Sequence, residues 1–377
     1  MPFSNLESLC PHPYISVLFL LSSCIAVYIF YPALVLRKYS YEKNGNKLVE
    51  GIITEKIFQD QTLTTTSTKV NLDNDTRHYL SLVIPAYNEE ERLPDMIKST
   101  LKQINQHKDK WVGLLKNLIF PENVEQEINI PFEIQIINDG SVDGTISAVQ
   151  STLHEIKISE PRLLWHTSIQ VSSLPQNMGK GEAVRTGILS SSSHFTLMLD
   201  ADNATDLSTG LTSLLLALIE KKKNSPKTEL VAFGSRAHLQ QESQVKRSLT
   251  RTILMHGFHL CVSTFCTSKV QDTQCGFKLF PKGVSQFVFQ NLHLKRWAFD
   301  IEVIILLQCH GCVEIVEVPV KWQEVEGSKL ATGKLALLLA SLGMLRDMIC
   351  VRACYLLGIW RLEAPRKNAN QMIKKLK

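Results

Sequence analysis

Phe195-Thr196-Leu197-Met198-Leu199-Asp200-Ala201-Asp202 is the stretch that decides the fold. Its first five residues suit a strand buried on both faces. Two carboxylates one residue apart then close it. Burying unpaired charge is costly, so this pair belongs at a strand end where something compensates it. The same arrangement recurs upstream. Leu80-Ser81-Leu82-Val83-Ile84 is a strand stopped by Pro85, with Tyr87 and Glu89 just beyond. Phe132 to Ile137 is another, ending at Asn138-Asp139-Gly140-Ser141. Between them, Glu89 to Gln106 reads as a helix with acidic residues in its first turn, where they suit the dipole. Asp143 and Thr145 can cap a second helix. Strand alternating with helix predicts an α/β fold, a mostly parallel sheet with helices on both faces. Ligands of such folds bind outside the carboxyl ends of the strands. Tyr87, Glu89, Asp139, Asp200 and Asp202 all fall on that edge. The segment Lys102 to Pro131 is long for a helix-to-strand connection and reads as an insertion.

The 377 residues are 44% hydrophobic and 20% charged, the balance of a globular chain. The formal net charge of +5 suits an anionic membrane surface or a phosphate-rich substrate. No zinc-finger spacing or dense basic helix is present, so no nucleic-acid partner is expected. The nine cysteines are scattered and read as reduced thiols. Cys309-His310-Gly311-Cys312 has CxxC spacing, but no second CxxC completes a zinc shell. Gly311 reads instead as a helix C-cap, with Cys312 opening the strand 313–316.

From Tyr14 to Leu36 no residue is charged, a run of about 23 residues that can cross a hydrocarbon core of roughly 30 Å. Arg37 and Lys38 follow at once, and residues 1–13 carry only Glu7 as a charge. The positive-inside rule then puts 1–13 in the lumen and the downstream body in the cytosol. The absence of Lys and Arg ahead of the apolar run, and its bulky end, argue against a cleaved signal peptide. Residues 37–79 are polar and read as a linker with little packed structure. The main domain is expected over 80–328. Residues 329–361 read as one or two amphipathic helices, lying in a membrane interface or against the domain. The basic tail, 362–377, carries Lys374 and Lys375 and resembles a dilysine retrieval signal of the endoplasmic reticulum.

A hard divalent cation, Mg²⁺ or Mn²⁺, would relieve the repulsion between Asp200 and Asp202, with diphosphate oxygens and water filling its shell. Asn177-Met178-Gly179-Lys180-Gly181-Glu182-Ala183 sets a glycine-flanked lysine before a helix, where backbone can approach phosphate. Lys180, with Arg185 one turn on, can face a diphosphate; a structural turn is the other reading. The spacing is not that of a P-loop. Arg236, Lys246, Arg247 and Arg251 form a basic cluster after the strand 230–234, either a solvated face or forks for an anionic second substrate. Asp300, within Trp297-Ala298-Phe299-Asp300-Ile301-Glu302, is either a helix cap or an acceptor-side residue.

These motifs together resemble the family-2 inverting glycosyltransferases with the GT-A fold. The resemblance rests on Val83-Ile84-Pro85-Ala86-Tyr87-Asn88-Glu89-Glu90, Asn138 to Thr145, Asn177 to Gly181 and Asp200-Ala201-Asp202. More narrowly the chain is similar to the dolichyl-phosphate β-glucosyltransferases, which also carry one N-terminal membrane helix. The later motifs are Phe233 to Arg236, Asp272 to Lys278, Trp297 to Asp300 and Glu317-Val318-Pro319-Val320. The fold implied is a Rossmann-like, nucleotide-sugar-binding, mostly parallel sheet. The resemblance implies that Pro85, Tyr87, Glu89 and Asp139 hold uridine, that Lys180 and Asp200 lie beside the diphosphate, and that Asp202 carries the metal. Arg236 and one of Arg247 or Arg251 would receive a lipid phosphate. Asp272 stands where many relatives keep a catalytic base. Asn138 departs from the Asp that is common there.

The activity implied is inverting transfer of glucose from UDP-glucose to dolichyl phosphate at the endoplasmic-reticulum membrane, for protein N-glycosylation. A phosphate acceptor is already ionised near neutral pH, so a base is needed less than for a hydroxyl, and Asp272 can instead position the acceptor or an arginine. Two alternatives stand beside it. One is a dolichyl-phosphate mannosyltransferase using GDP-mannose. The other is a catalytically silent membrane scaffold of the same fold. A processive synthase is disfavoured, because neither several spanning helices nor a Q-x-x-R-W motif is visible.

Overall fold

The computed structural model describes residues 24–33, 53–59, 62–64, 77–120, 128–237, 270–323, 325 and 334–362. Lys246, Arg247 and Arg251, the segment 1–13 and the basic tail beyond residue 362 lie outside them. The strands are β1 (Ile53–Gln59), β2 (Thr62–Thr64), β3 (His78–Ala86), β4 (Phe132–Asn138), β5 (Thr167–Ser173), β6 (Ser193–Met198), β7 (Glu229–Ser235), β8 (Lys278–Pro281) and β9 (Val313–Pro319). Residues 24–33 form helix α1. The others are α2 (Leu93–Ile119), α3 (Thr145–Ser159), α4 (Lys180–Ser190), α5 (Leu207–Asn224), α6 (Lys282–Gln290), α7 (Phe299–His310) and α8 (Lys334–Leu356).

The nine strands make one mixed sheet in the order β2-β1-β5-β4-β3-β6-β8-β7-β9. Its centre, β5-β4-β3-β6, is parallel throughout. Neighbouring side chains of one strand point to opposite faces, and each face has its own core. Leu82 and Ile84 of β3 join the cluster under α2, α3 and α5, while Val83 joins the cluster under α4, α6, α7 and α8. The expected α/β fold with helices on both faces is therefore present.

Two expectations need correction. Within the expected linker 37–79, residues 53–59 form β1, antiparallel to β5, and 62–64 pair with it as β2. The β-branched Ile53, Thr54 and Ile57 and the aromatic Phe58 suit a strand, but without strict alternation and amid a Thr-rich stretch the signal is weak. The supposed insertion from Lys102 is mainly the second half of α2, which runs on to Ile119. Leu101, Ile104, Trp111 and Leu115 recur at helical spacing and are all buried. Trp111 packs edge-on against Phe132, and its Nε1 donates to Thr212 Oγ1 at 3.0 Å. That helix starts at Leu93 rather than Glu89; residues 90–92 form a turn, with Arg92 N–H and Leu93 N–H both donating to the Glu89 carbonyl oxygen, at 3.2 and 3.0 Å.

Helix α7 ends where expected. Gly311 has φ 79°, the left-handed C-cap, and β9 begins two residues later. Cys309 and Cys312 are free thiols. Among the described residues of the C-terminal region 329–361 there is one helix, α8, with a buried side (Met348, Cys350, Val351, Cys354, Tyr355) and exposed Leu339, Leu342 and Leu356. Helix α1 lies beside it, with the Tyr28 ring 5.4 Å and the Tyr31 ring 6.0 Å from the Arg346 guanidinium. No helix among the described residues is long and apolar enough to cross a membrane. The stretch 14–36 is described only over 24–33.

Candidate active site

The chain lays down β3, β4 and β5 in one direction across the sheet, then returns to the other side of β3 with β6. This reversal opens a crevice outside the carboxyl ends of β3 and β6, the usual ligand position in such sheets. The loops leaving β3, β4 and β6 carry Tyr87 to Glu90, Asp139 to Thr145 and Asp200 to Asp202.

The first two loops lock together. Asn88 N–H donates to Ser141 Oγ at 2.8 Å, and Val142 N–H donates back to Asn88 Oδ1 at 2.9 Å. Glu89 N–H donates to Thr145 Oγ1 at 2.8 Å, and Gly144 N–H to Glu90 Oε2 at 2.9 Å. Asn138 accepts from Ser141 N–H at 3.0 Å and donates to Ser173 Oγ at 3.2 Å, so it serves the turn. Pro85 and Tyr87 are half-buried at the mouth of the crevice. The Glu89 carboxylate is gripped by Arg92 through Nε and Nη2, each at 2.8 Å.

Asp139 reaches across to the turn before α4, where it accepts from Met178 N–H at 2.6 Å and Gly179 N–H at 2.9 Å. Burial pushes its carboxyl up to about 6, against the pull of those two backbone donors. Gly179 is required there. Its φ is 103°, and a Cβ would sit 2.5 Å from the Lys295 carbonyl oxygen. The turn thus delivers Lys180 as the first residue of α4, with its ammonium 2.6 Å from Asp200 Oδ1.

Burial would discharge both members of this pair. Their mutual attraction outweighs it, holding Asp200 below the usual carboxylate range and Lys180 above the usual ammonium value. Gly276 lies directly on Asp200, and a Cβ there would be 2.1 Å from Asp200 Oδ2. Asp202 is half-buried, with Oδ1 accepting Ala204 N–H at 3.1 Å. Among the described residues no group of three potential ligands gathers. Two neighbouring carboxylates, one of them cradled against a bare glycine backbone, fit a Mg²⁺ or Mn²⁺ ion that takes its other ligands from a diphosphate and water.

Beside Asp200 stands a second ion pair. Arg236, just beyond β7, donates from Nε to Asp272 Oδ2 at 2.7 Å and from Nη2 to Oδ1 at 2.9 Å. Asp272 also accepts Arg236 N–H at 2.9 Å and Gln274 N–H at 3.3 Å. Burial raises this carboxyl, but the Arg236 guanidinium more than reverses that and leaves it below its ordinary value. An aspartate with four donors and a depressed pKa is a weak base, so the geometry gives Asp272 the holding of Arg236. The guanidinium also lies 5.4 Å from the Trp322 ring centroid.

Two sequence-based readings fail here. Arg185 does not face the Lys180 side: it is 4% exposed, and its Nε donates to Phe289 carbonyl oxygen at 2.8 Å. Five residues along a helix turn the side chain by about 140°, onto another face. Asp300 is no helix cap; the α7 N-cap position is Ala298, and Asp300 pairs in the interior with Lys278 at 2.6 Å. Three other residues were not singled out for a role. Glu317 accepts Gln271 N–H at 2.9 Å and Asp272 N–H at 2.8 Å, fastening the segment that holds Arg236. Trp322 flanks Arg236, and Trp297, 50% exposed, lies with its ring centroid 5.4 Å from the Lys180 ammonium. Glu317 and Trp297 stand inside motifs already quoted; Trp322 had no local signal.

Comparison with known proteins gives the chain its family. Residues 81–266 match the family model described as glycosyl transferase family 2. A dolichyl-phosphate β-glucosyltransferase of Dictyostelium discoideum is 38% identical over 288 residues, 76% of this chain and 77% of that protein. One from Homo sapiens is 36% identical, over 76% of this chain and 79% of the other. A crystal structure of glucosyl-3-phosphoglycerate synthase from Mycobacterium tuberculosis with UDP aligns at TM-score 0.42 and 14% identity, over 72% of this chain and 80% of that one. The family model and these relatives make the chain a family-2 glycosyltransferase, built here on an α/β fold with a mostly parallel mixed sheet. Within that class, the chain belongs to the dolichyl-phosphate β-glucosyltransferase family.

Proposed function

We propose that this protein transfers glucose from UDP-glucose to dolichyl phosphate, with inversion, at the cytosolic face of the endoplasmic-reticulum membrane. The observation that carries the reading is the side-by-side placement of two charge pairs, Lys180 with Asp200 and Arg236 with Asp272. The first suits a donor diphosphate and the second an acceptor phosphate. An acceptor phosphate oxygen forms the new bond to the sugar C1. The bond from C1 to the UDP oxygen breaks, and its electron pair leaves with UDP. Lys180 stabilises the charge that collects on the departing diphosphate. Arg236, held in a fixed orientation by Asp272, orients the acceptor phosphate, which needs no base because it is already ionised. Asp202 and Asp200 would hold the divalent cation, which supplies Lewis-acid stabilisation of the leaving group. Pro85, Tyr87, Glu89 and Asp139 line the donor side and are assigned to uridine.

Ile25, Val27, Tyr28 and Tyr31 of α1 and Leu339 and Leu342 of α8 are exposed apolar side chains, which supports a membrane position. Arg37 and Lys38 after the apolar run support the cytosolic side. The test is donor choice: radiolabelled UDP-glucose and GDP-mannose offered in parallel to the purified protein with dolichyl phosphate. Label moving to lipid from UDP-glucose alone is expected. Transfer from GDP-mannose alone would move the protein to the mannosyl alternative, and folded protein that uses neither donor would leave the scaffold.

A further inference from the structure

Close to the Lys180–Asp200 pair lies a third ion pair, almost wholly withdrawn from solvent. Lys278, the first residue of β8, is 1% exposed, and Asp300, in the first turn of α7, is 3% exposed. The Lys278 ammonium donates to Asp300 Oδ1 and to Cys275 carbonyl oxygen, each at 2.6 Å, and lies 5.2 Å from the Phe233 ring centroid. Stability alone does not call for this pair. Well-packed apolar residues of similar volume generally serve a core as well as a buried ion pair does. The surroundings are apolar enough to accept them, since Phe233, Phe280, Phe299 and Ile301 are fully buried nearby in sequence or contact.

Its position explains it better. The turn that carries Lys180 rests on the start of α7: a Cβ on Gly181 would be 2.7 Å from Phe299 Cβ, the residue before Asp300. Asp300 acts electrostatically on both Lys278 and Lys180, and Asp200 is acted on by Lys180, Lys278 and Arg236. The four side chains therefore alternate in sign: Lys278, Asp300, Lys180, Asp200. We propose that Lys278 and Asp300 are positioning residues that keep the Lys180 ammonium at the donor diphosphate; this rests on the reading of the site above. Asp200 neutralises Lys180 across 2.6 Å. A cation held by Asp200 would share that carboxylate, and Asp300 would then be the remaining counter-charge on the protein side. Burial raises the Asp300 carboxyl above its ordinary value, and the Lys278 ammonium, donating to it at 2.6 Å, pulls against that rise.

The test separates electrostatics from packing by removing both charges together. A single change at either position would strand a buried charge and unfold the protein. The double variant Lys278→Met, Asp300→Leu is expected to keep the melting temperature of the wild type. Its affinity for UDP with Mn²⁺ should fall about tenfold or more, the scale of one charge-assisted contact between Lys180 and the diphosphate, while affinity for uridine is unchanged. A wild-type UDP affinity in the folded variant would overturn the assignment. If that variant does not fold, Lys278→Gln with Asp300→Asn keeps the hydrogen bond without the charges and is expected to show the same selective loss; unchanged UDP affinity there would overturn it equally. Wild-type protein that binds no UDP would instead overturn the donor-site reading itself, a result distinct from either variant's.

Discussion

Arg236 and Asp272 face each other through two parallel contacts, Nε to Oδ2 at 2.7 Å and Nη2 to Oδ1 at 2.9 Å. A bidentate grip of this kind fixes the plane of the guanidinium as well as its place. It leaves Asp272 poorly suited to accept a proton and Arg236 well suited to orient an anion. Replacing Asp272 by Asn keeps the shape and loosens the grip. The Michaelis constant for dolichyl phosphate should rise about tenfold, the scale of one charge-assisted hydrogen bond. The pH dependence of transfer between 5 and 8, measured on both proteins, should keep its shape (~3 pH units scanned). An acidic limb that disappears in the variant would return the base role to Asp272.

Asp139 is a buried carboxyl raised to about 6, above its ordinary value of 3.8. Its folded form therefore holds the proton more tightly than the unfolded chain does. The stability this confers is present at low pH and is lost as pH rises through about 6. Asp139→Asn keeps the acceptor for Met178 and Gly179 N–H and removes the titration. Melting curves of both proteins from pH 4 to 7 should show the wild type falling relative to the variant, by on the order of 3 kcal/mol at most. Parallel curves would place the Asp139 pKa near its ordinary value.

Glu302 is fully buried in α7 and accepts from His293 N–H at 3.0 Å, Leu294 N–H at 2.6 Å and Tyr355 O–H at 2.9 Å. The loop it holds carries Lys295, whose carbonyl accepts Glu182 N–H at 3.1 Å in the first turn of α4. Tyr355 ties α8 into the same carboxylate. Tyr355→Phe removes one hydrogen bond to a charged group, with an expected loss of about 1.5–3 kcal/mol in denaturant unfolding. A loss below about 0.5 kcal/mol, the size of an ordinary surface change, would mean that α8 docks by its apolar contacts alone.

Gly276 touches the Asp200 carboxylate, and an alanine there would place its Cβ 2.1 Å from Oδ2. Gly276→Ala should displace Asp200 and reduce transfer by about a hundredfold, the scale of an ångström-sized misplacement. UDP affinity with Mn²⁺ should then match the wild type's affinity in chelator. Wild-type behaviour would show that Asp200 can move freely.

The strand-end residues were legible because a strand with apolar residues ahead and carboxylates at its tip has few alternatives in a core. Tyr87, Asp139, Asp200 and Asp202 therefore reached the right edge from one dimension alone. What stayed hidden depends on partners distant in sequence. Asp300 looks like any acidic residue in a helix's first turn; its role comes from Lys278, 22 residues away, on another element. Arg185 was misplaced by counting one turn as five residues. The long half of α2 was masked by Lys, Gln, Asn and His on its outer face. Trp322 lies beside Arg236 only because the chain after β9 returns to form a bridge with Thr205.

The central claim is a single displacement between a donor held at Lys180 and an acceptor phosphate held at Arg236. The most direct measurement is the anomeric configuration of the product, read by NMR after the purified protein acts on UDP-glucose and dolichyl phosphate. UDP-glucose carries an α linkage, so one displacement predicts a β-linked glucosyl phosphate. An α-linked product would require two displacements or a different geometry at C1, and would contradict the account.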